Sequence, residues 1–443
     1  MHMEITPAMR AHMAEKYRED AVNAIRERAV VKSGLEGAAA NLYEDIRHPM
    51  TFSIEIESGK ITDQKRSGRC WLFAGLNTMR LAVMKKLNLD TFELSQNHLM
   101  FWDKLEKANY FLESILATRG EPLDGRLVQH LLDAPVGDGG QWDMFCALVD
   151  KYGCVPKAAM PETFHSGDTG IMNARITEKL REYAWVLRAA HADGEDIGAL
   201  RSRKPAMLQE IYGILCICLG QPPETFRFAC RDKDKEFHDE GVLTPHEFYL
   251  KYVGQALSNY VAVINAPTAD KPYGRTYTVE YLGNVVGGRR IKYLNLPSAD
   301  LKALAIAQLK DGQPVWFGCD VGKMLMRDRG IMGMRTFDYE ATLGVKFGLD
   351  KARRLDLRES VLTHAMVFLG VNLVDGVPDR WKVENSWSDK RGQDGYYIMT
   401  DEWFDQFNYE VVVERKYLSD AQRAAYDQDP IALKPWDPMG SLA

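Results

Sequence analysis

Hydrophobic and polar positions along the 443 residues follow two different periods. In the N-terminal half the apolar residues recur at helical spacing. Residues 7 to 30 predict a charged amphipathic helix, and in CWLFAGLNTMRLAVMKKL the apolar positions 72, 73, 76, 79, 83, 84 and 87 lie on one helical stripe opened by Cys70. Between them FSIEIESGKI, from Phe52 to Ile61, alternates like a short half-buried strand, so the leader is expected to pack on a later core. From about 165 to 260 the chain is helical and charge-rich, as in MNARITEKLREYAWVLRAA and KPAMLQEIYGILCICLG, and reads as an inserted region. Beyond 260 the runs shorten and become strand-like: YVAVINAP, RTYTVEYLGNVVGGRRIKYLNL with its Gly-Gly turn, QPVWFGCDV, THAMVFLGVNLVDG, DRWKVENSW and GYYIMT. Helices first and strands later, with SADLKALAIAQLKDG as the main interruption, predict an α+β protein rather than an alternating α/β one.

Composition narrows the class. With 46% hydrophobic and 27% charged residues the chain is of ordinary globular type. A prior of roughly 150 residues per domain allows about three units, or one domain with a large insertion. A net charge of -6 argues against a chain-wide basic footprint for nucleic acid. No run reaches membrane-span length, and MHMEITPAMRAHMAEKYRED is too charged for the apolar region of a signal peptide, so a cytoplasmic protein is expected. Seven cysteines at irregular spacing do not make a disulfide framework and predict reduced thiols. Cys216 and Cys218 read as buried helix residues rather than metal ligands, because no pair of zinc spacing accompanies them.

The chemistry concentrates at Gln64-Lys65-Arg66-Ser67-Gly68-Arg69-Cys70-Trp71. A thiol at a helix N-terminus feels the positive end of the macrodipole, and Lys65, Arg66 and Arg69 add to that field, so its pKa is expected to fall. Gln64 and the Cys70 backbone N–H can bind a developing oxyanion, and Gly68 permits close backbone approach. A nucleophilic thiol needs a base. His364, in a strand-like run, supplies one, and the side-chain oxygen of Asn385, in Trp381-Lys382-Val383-Glu384-Asn385-Ser386-Trp387, can fix its tautomer while Trp387 shields that bond. Each residue alone has a plainer reading: a buried cysteine, a core histidine, a turn asparagine. Their combination favours catalysis. Other motifs are weak: no phosphate-binding loop occurs, His246-Glu247 lacks a second histidine, and Phe237 replaces the glycine of a calcium loop after Asp232-Lys233-Asp234-Lys235-Glu236.

These blocks resemble the signature segments of papain-like cysteine peptidases. Asp138-Gly139-Gly140-Gln141-Trp142 resembles the family's substrate-pairing Gly-Gly segment, and Leu94-Ser95-Gln96 its Leu-Ser motif. One departure is large: His and Asn normally follow the cysteine by about 130 to 150 residues, whereas His364 and Asn385 follow Cys70 by 294 and 315 positions. The cysteine that secretory members carry just before the nucleophile is also missing. Together with GKITDQKRSGRCWLFAGLN and the ending PWDPMGSLA, these departures resemble the bleomycin hydrolase and aminopeptidase C branch. The resemblance implies a helical lobe and a β-barrel-like lobe with a cleft between. It divides the chain into a leader (1–62), a helical lobe with the nucleophile (63–164), a helical insertion (165–260), a β-rich lobe with His and Asn (261–430) and a C-terminal arm in the cleft (431–443). It further implies a cytoplasmic homohexamer acting on peptides with a free N-terminus, without metal or organic cofactor. The catalytic set is Cys70, His364, Asn385 and Gln64; Gly139, Gly140, Trp387 and the carboxylate of Ala443 contact substrate. Transamidation by the same acyl chemistry, or a non-catalytic binding module, are the competing expectations.

Overall fold

The computed structural model describes residues 4–443, so the first three residues of the expected leader lie outside it. The stripe opened by Cys70 forms the helix Cys70–Lys86, whose first eleven residues are all buried, because both faces are covered. On one side lie the helices Gln96–Ala117 and Trp142–Tyr152; on the other lies the strand His364–Val374. Ser95 caps the second of these helices, its hydroxyl accepting the His98 N–H, which gives the Leu-Ser motif a structural task.

The β-rich lobe is one mixed sheet. Its centre runs Tyr260–Ile264, Asn408–Glu414, Val315–Cys319, His364–Val374, Val377–Glu384 and Tyr396–Thr400, all antiparallel neighbours. The register pairs His364 with Cys319 and Val367 with Glu384, so the residue following Glu384, Asn385, emerges beside the start of the histidine strand. Alternation divides the histidine strand between two cores: Met366 and Phe368 face Phe317, Trp381 and Phe404, whereas Ala365, Val367 and Leu369 face the helical lobe. The helix Ser298–Lys310 packs on the sheet as its sequence predicts.

Three expectations change. The leader folds as two helices, Pro7–Glu19 and Ala21–Ala39, of which the first buries nothing and the second only Ala39. The apolar positions Met13, Ile25 and Val31 stay exposed, so amphipathic spacing here does not seat the leader on this chain's core. The leader joins the core instead through Phe52 and the short strand Ile54–Glu55, paired with Gly370 and Val371. Second, the insertion is not purely helical. After the helices Gly170–Ala192 and Lys204–Leu219 it forms a hairpin, Phe226–Arg231 with Phe237–Leu243, whose turn is the polar stretch after Arg231. Third, Cys216 and Cys218 lie on the predicted helix but are only half-buried.

Candidate active site

The Cys70–Lys86 helix starts without a side-chain cap; its Leu72 and Phe73 N–H groups donate to Arg69 O at 3.0 Å, and those of Cys70 and Trp71 are directed at the Cys70 sulfur. Behind it, Gly68 donates its N–H to Asp138 Oδ2 at 2.9 Å; a Cβ there would stand 2.8 Å from the Asp138 Cβ. Asp138 is an anchor for the whole loop. It accepts from Lys104 Nζ, Thr169 Oγ1 and Asn173 Nδ2 at 2.5 to 2.6 Å, and its carbonyl accepts the Trp71 indole N–H at 2.8 Å. Burial pushes the Asp138 carboxyl up, but the Lys104 ammonium and the hydrogen-bond donors outweigh burial and hold it well below the usual carboxylate range.

Gln64 is clamped. Its side-chain N–H donates to Ser67 O and its Oε1 accepts from Ser386 Oγ, both at 2.6 Å, while its backbone N–H reaches Ser386 O at 2.9 Å. A bridge between Asp63 and Trp387 extends this pairing, so the oxyanion candidate and the Asn385 segment form one unit. One hydrogen of the Gln64 amide remains for a ligand.

Across the cleft, the Asn385 Oδ1 accepts from His364 Nε2 at 2.9 Å and from the Ser386 N–H at 2.8 Å. Trp387 covers that bond with its ring centroid 4.9 Å from the imidazole's. With Nε2 engaged, Nδ1 is the nitrogen left for a proton transfer. The residue after His364 touches the sulfur: the Ala365 N–H reaches Cys70 Sγ at 3.5 Å. Residues separated by 315 positions thus share one buried cleft.

The expected fall in the thiol pKa is overturned. Burial pushes Cys70 up to about 12, against the pull of the Ala365, Trp71 and Cys70 N–H groups. The helix N-terminus acts in the expected direction but is outweighed. Nor do the basic neighbours aim at the sulfur: Arg69 is held by Glu162 at 3.0 and 2.7 Å, and Arg66 pairs with Asp168 at 3.4 Å. Burial likewise lowers His364 to about 4, with Asn385 opposing and Arg327 reinforcing the shift.

The C-terminal arm occupies one side of the cleft. Gly140 N–H donates to Ala443 O at 3.2 Å and Ala443 N–H to Gly140 O at 3.3 Å, a two-way antiparallel pair. Gln141 Nε2 donates to Ser441 O at 2.7 Å, and Ser441 Oγ donates to Leu362 O at 2.6 Å. The glycines are required: a Cβ on Gly139 would lie 2.7 Å from the Leu442 Cβ, and one on Gly140 2.5 Å from the Trp71 ring. A separate cavity of about 810 Å³ beside Trp185 contains none of these residues.

Sequence assigns no role to Ser386, places Gln141 only within the Gly-Gly segment, and takes Ser441 only as a small residue of the C-terminal arm. Ser386 was legible only as the residue inside the Asn-Ser-Trp block; the other two are polar residues whose partners lie far along the chain. Among the described residues no cluster of potential metal ligands occurs.

Residues 4–440 match the model of the Peptidase C1-like family. Over all 443 residues the chain is 48% identical to an aminopeptidase C of Listeria monocytogenes, covering 100% of both chains. It is 45% identical over 405 residues to human bleomycin hydrolase, covering 90% of this chain and 89% of the relative. The crystal structure of PepW from Lactobacillus rhamnosis superposes with a TM-score of 0.98 at 47% identity over the full length of both. Fold, site blocks and full-length similarity agree, and the chain belongs to the Peptidase C1-like family.

Proposed function

We propose that this protein is a cysteine aminopeptidase that removes single residues from the free N-terminus of peptides through a Cys70 acyl-enzyme. The observation that carries the reading is the two-way pairing of Ala443 with Gly140, which fills the acyl side of the cleft and leaves a carboxylate there. That anion is suited to a substrate α-ammonium, and the arm leaves no path for residues upstream of it. Full-length similarity to aminopeptidase C and bleomycin hydrolase supports the same activity.

In the proposed cycle His364 takes the Cys70 thiol proton, and the sulfur attacks the carbonyl of the first peptide bond. The Cys70 N–H and the free Gln64 N–H bind the oxygen as it becomes negative. The imidazolium then gives its proton to the leaving amine, and water, deprotonated by His364, releases the first residue. Asn385 holds the ring in the required tautomer. The chemistry needs neither metal nor organic cofactor. We place the enzyme in the cytoplasm as a homohexamer: its seven cysteines are unpaired, and the leader helices expose apolar residues that a second copy would cover.

The test compares free-amine with acetylated aminoacyl fluorogenic amides, with a Cys70→Ala control. Hydrolysis confined to the free amines and abolished in the control is expected. Deletion of 441–443 should open the acyl side, lowering aminopeptidase turnover and admitting acetylated peptides; product patterns unchanged by the deletion would reject the arm's role.

A further inference from the structure

Beyond Trp387, on the side of the cleft away from the arm, lies a cavity of about 260 Å³ lined by Asp63, Lys65, Arg327, Trp387 and Arg391. Two loops build it. Arg327 follows the strand Leu325–Met326, and Arg391 lies on the loop between Asn385 and the strand Tyr396–Thr400. The loops are locked together: Arg391 Nη1 pairs with Asp328 at 2.5 Å, and Gly330 and Gly392 pack so closely that a Cβ on Gly330 would lie 2.6 Å from the Gly392 Cα. The Arg327 guanidinium sits over the Trp387 ring, its carbon 5.4 Å from the centroid, so its position is defined. Asp63 is turned back on its own turn, Oδ1 accepting the Lys65 N–H at 2.9 Å.

The charges do not cancel. Arg391 is paired with Asp328, and Asp63, the one carboxylate of the lining, accepts only the Lys65 backbone N–H, so Lys65 and Arg327 take part in no ion pair among the described residues. Since the arm fills the acyl side at Gly140, the leaving portion of a substrate must depart past His364 and Trp387, toward these cations.

Resting on the aminopeptidase reading, we propose that this cavity binds a carboxylate of the leaving portion, through Lys65 and Arg327, and so favours anionic leaving groups. The carboxylate can come from an acidic side chain just after the cleaved bond or from the C-terminus of a dipeptide. Both present the same anion at short reach.

Four substrates sharing one N-terminal residue separate the sources: Ala-Glu-NH2 against Ala-Gln-NH2, and Ala-Ala with a free carboxylate against Ala-Ala-NH2. Exposed ion pairs contribute about 0.2 to 1 kcal/mol each, so two cations should give about a two- to thirtyfold preference in kcat/KM at low salt. The preference should shrink in high salt and vanish in Lys65→Gln/Arg327→Gln, while hydrolysis of the neutral amides stays within about twofold; Arg327→Lys should retain most of it. An advantage in either pair supports the proposal and identifies the source. Equal rates for charged and neutral partners, or a preference that survives the double variant, overturn it alone. Failure of the wild-type enzyme to cleave even the neutral amides overturns the aminopeptidase reading and this inference with it.

Discussion

Cys70 and His364 sit where water is excluded, and each resists its charged form: the thiol is raised to about 12 and the imidazole lowered to about 4 by burial. The consequence for stability has a definite sign. An unfolded histidine titrates near 6.5, so as pH falls from about 6.5 to about 4 the unfolded chain binds a proton that the native ring refuses. Stability contributed by neutral His364 is complete above that window and is lost within it. Thermal melts from pH 7 to 4.5 should show a declining Tm, with a shallower decline in His364→Gln; identical slopes would exclude His364 as a cause. Gln64 is the other residue-scale lever. Removing an oxyanion donor costs roughly 3 to 4 kcal/mol, so Gln64→Ala should lower kcat by about two to three orders of magnitude. Ser386→Ala, which frees Gln64 Oε1, should lower kcat less and leave the thiol's alkylation by iodoacetamide intact.

The elements that carry the site are tied by a buried ion pair. Arg80, on the Cys70–Lys86 helix, donates to Glu384 at 2.8 Å, one residue before Asn385, and both side chains are 1% exposed. Arg80 also donates to Lys60 O at 2.7 Å. The pair joins the nucleophile helix to the strand that delivers the asparagine, fixing one lobe on the other. Removing one partner strands a buried charge, so Arg80→Met should cost about 3 to 5 kcal/mol in urea unfolding, and Arg80→Met/Glu384→Leu should recover a large part of that. A double variant no more stable than the single one would show that packing, not charge, is lost. Gly140→Ala tests the cleft edge. Its Cβ collides with the Trp71 ring, and overpacking of this kind typically costs about 1 to 3 kcal/mol. The collision also displaces the strand edge that pairs with Ala443, so aminopeptidase turnover should fall as well.

At the scale of the molecule, each end of the chain has a different task. The C-terminus returns to the cleft, held by Ser441, Gln141 and the Asp437–Lys271 ion pair at 2.9 Å. The N-terminal helices leave the body: the Pro7–Glu19 helix buries none of its residues, and the Ala21–Ala39 helix rests on the Tyr339–Leu343 helix, where Arg26 Nε donates to Ala341 O at 2.9 Å. Their exposed apolar residues, Met13, Ile25 and Val31, offer a surface for the subunit contacts of the hexamer proposed above. Removal of residues 1–39 should therefore lower the oligomeric state, read by sedimentation velocity, while single-site turnover of a neutral aminoacyl amide persists. A truncated chain that still sediments as the intact assembly would assign the subunit contacts elsewhere.

The nucleophile helix, the order of helices before strands and the grouping of Gln64, Cys70, His364 and Asn385 were legible in the sequence, because periodicity and motif spacing are local properties of the chain. The hairpin in the insertion was not: Phe226 and Phe228 alternate with exposed residues, but the run is short and its partner strand Phe237–Leu243 is polar and has no buried residue. Amphipathic spacing in the leader indicated a helix correctly but not its neighbour, because periodicity reports a face and not what covers it. The thiol pKa is the sharpest case. Sequence alone determined the helix N-terminus and the nearby cations, whereas only the tertiary structure decided how deeply the sulfur is buried and that Arg66 and Arg69 are drawn to Asp168 and Glu162. Desolvation depends on the whole fold, and in this cleft it outweighs the local dipole that the sequence reveals.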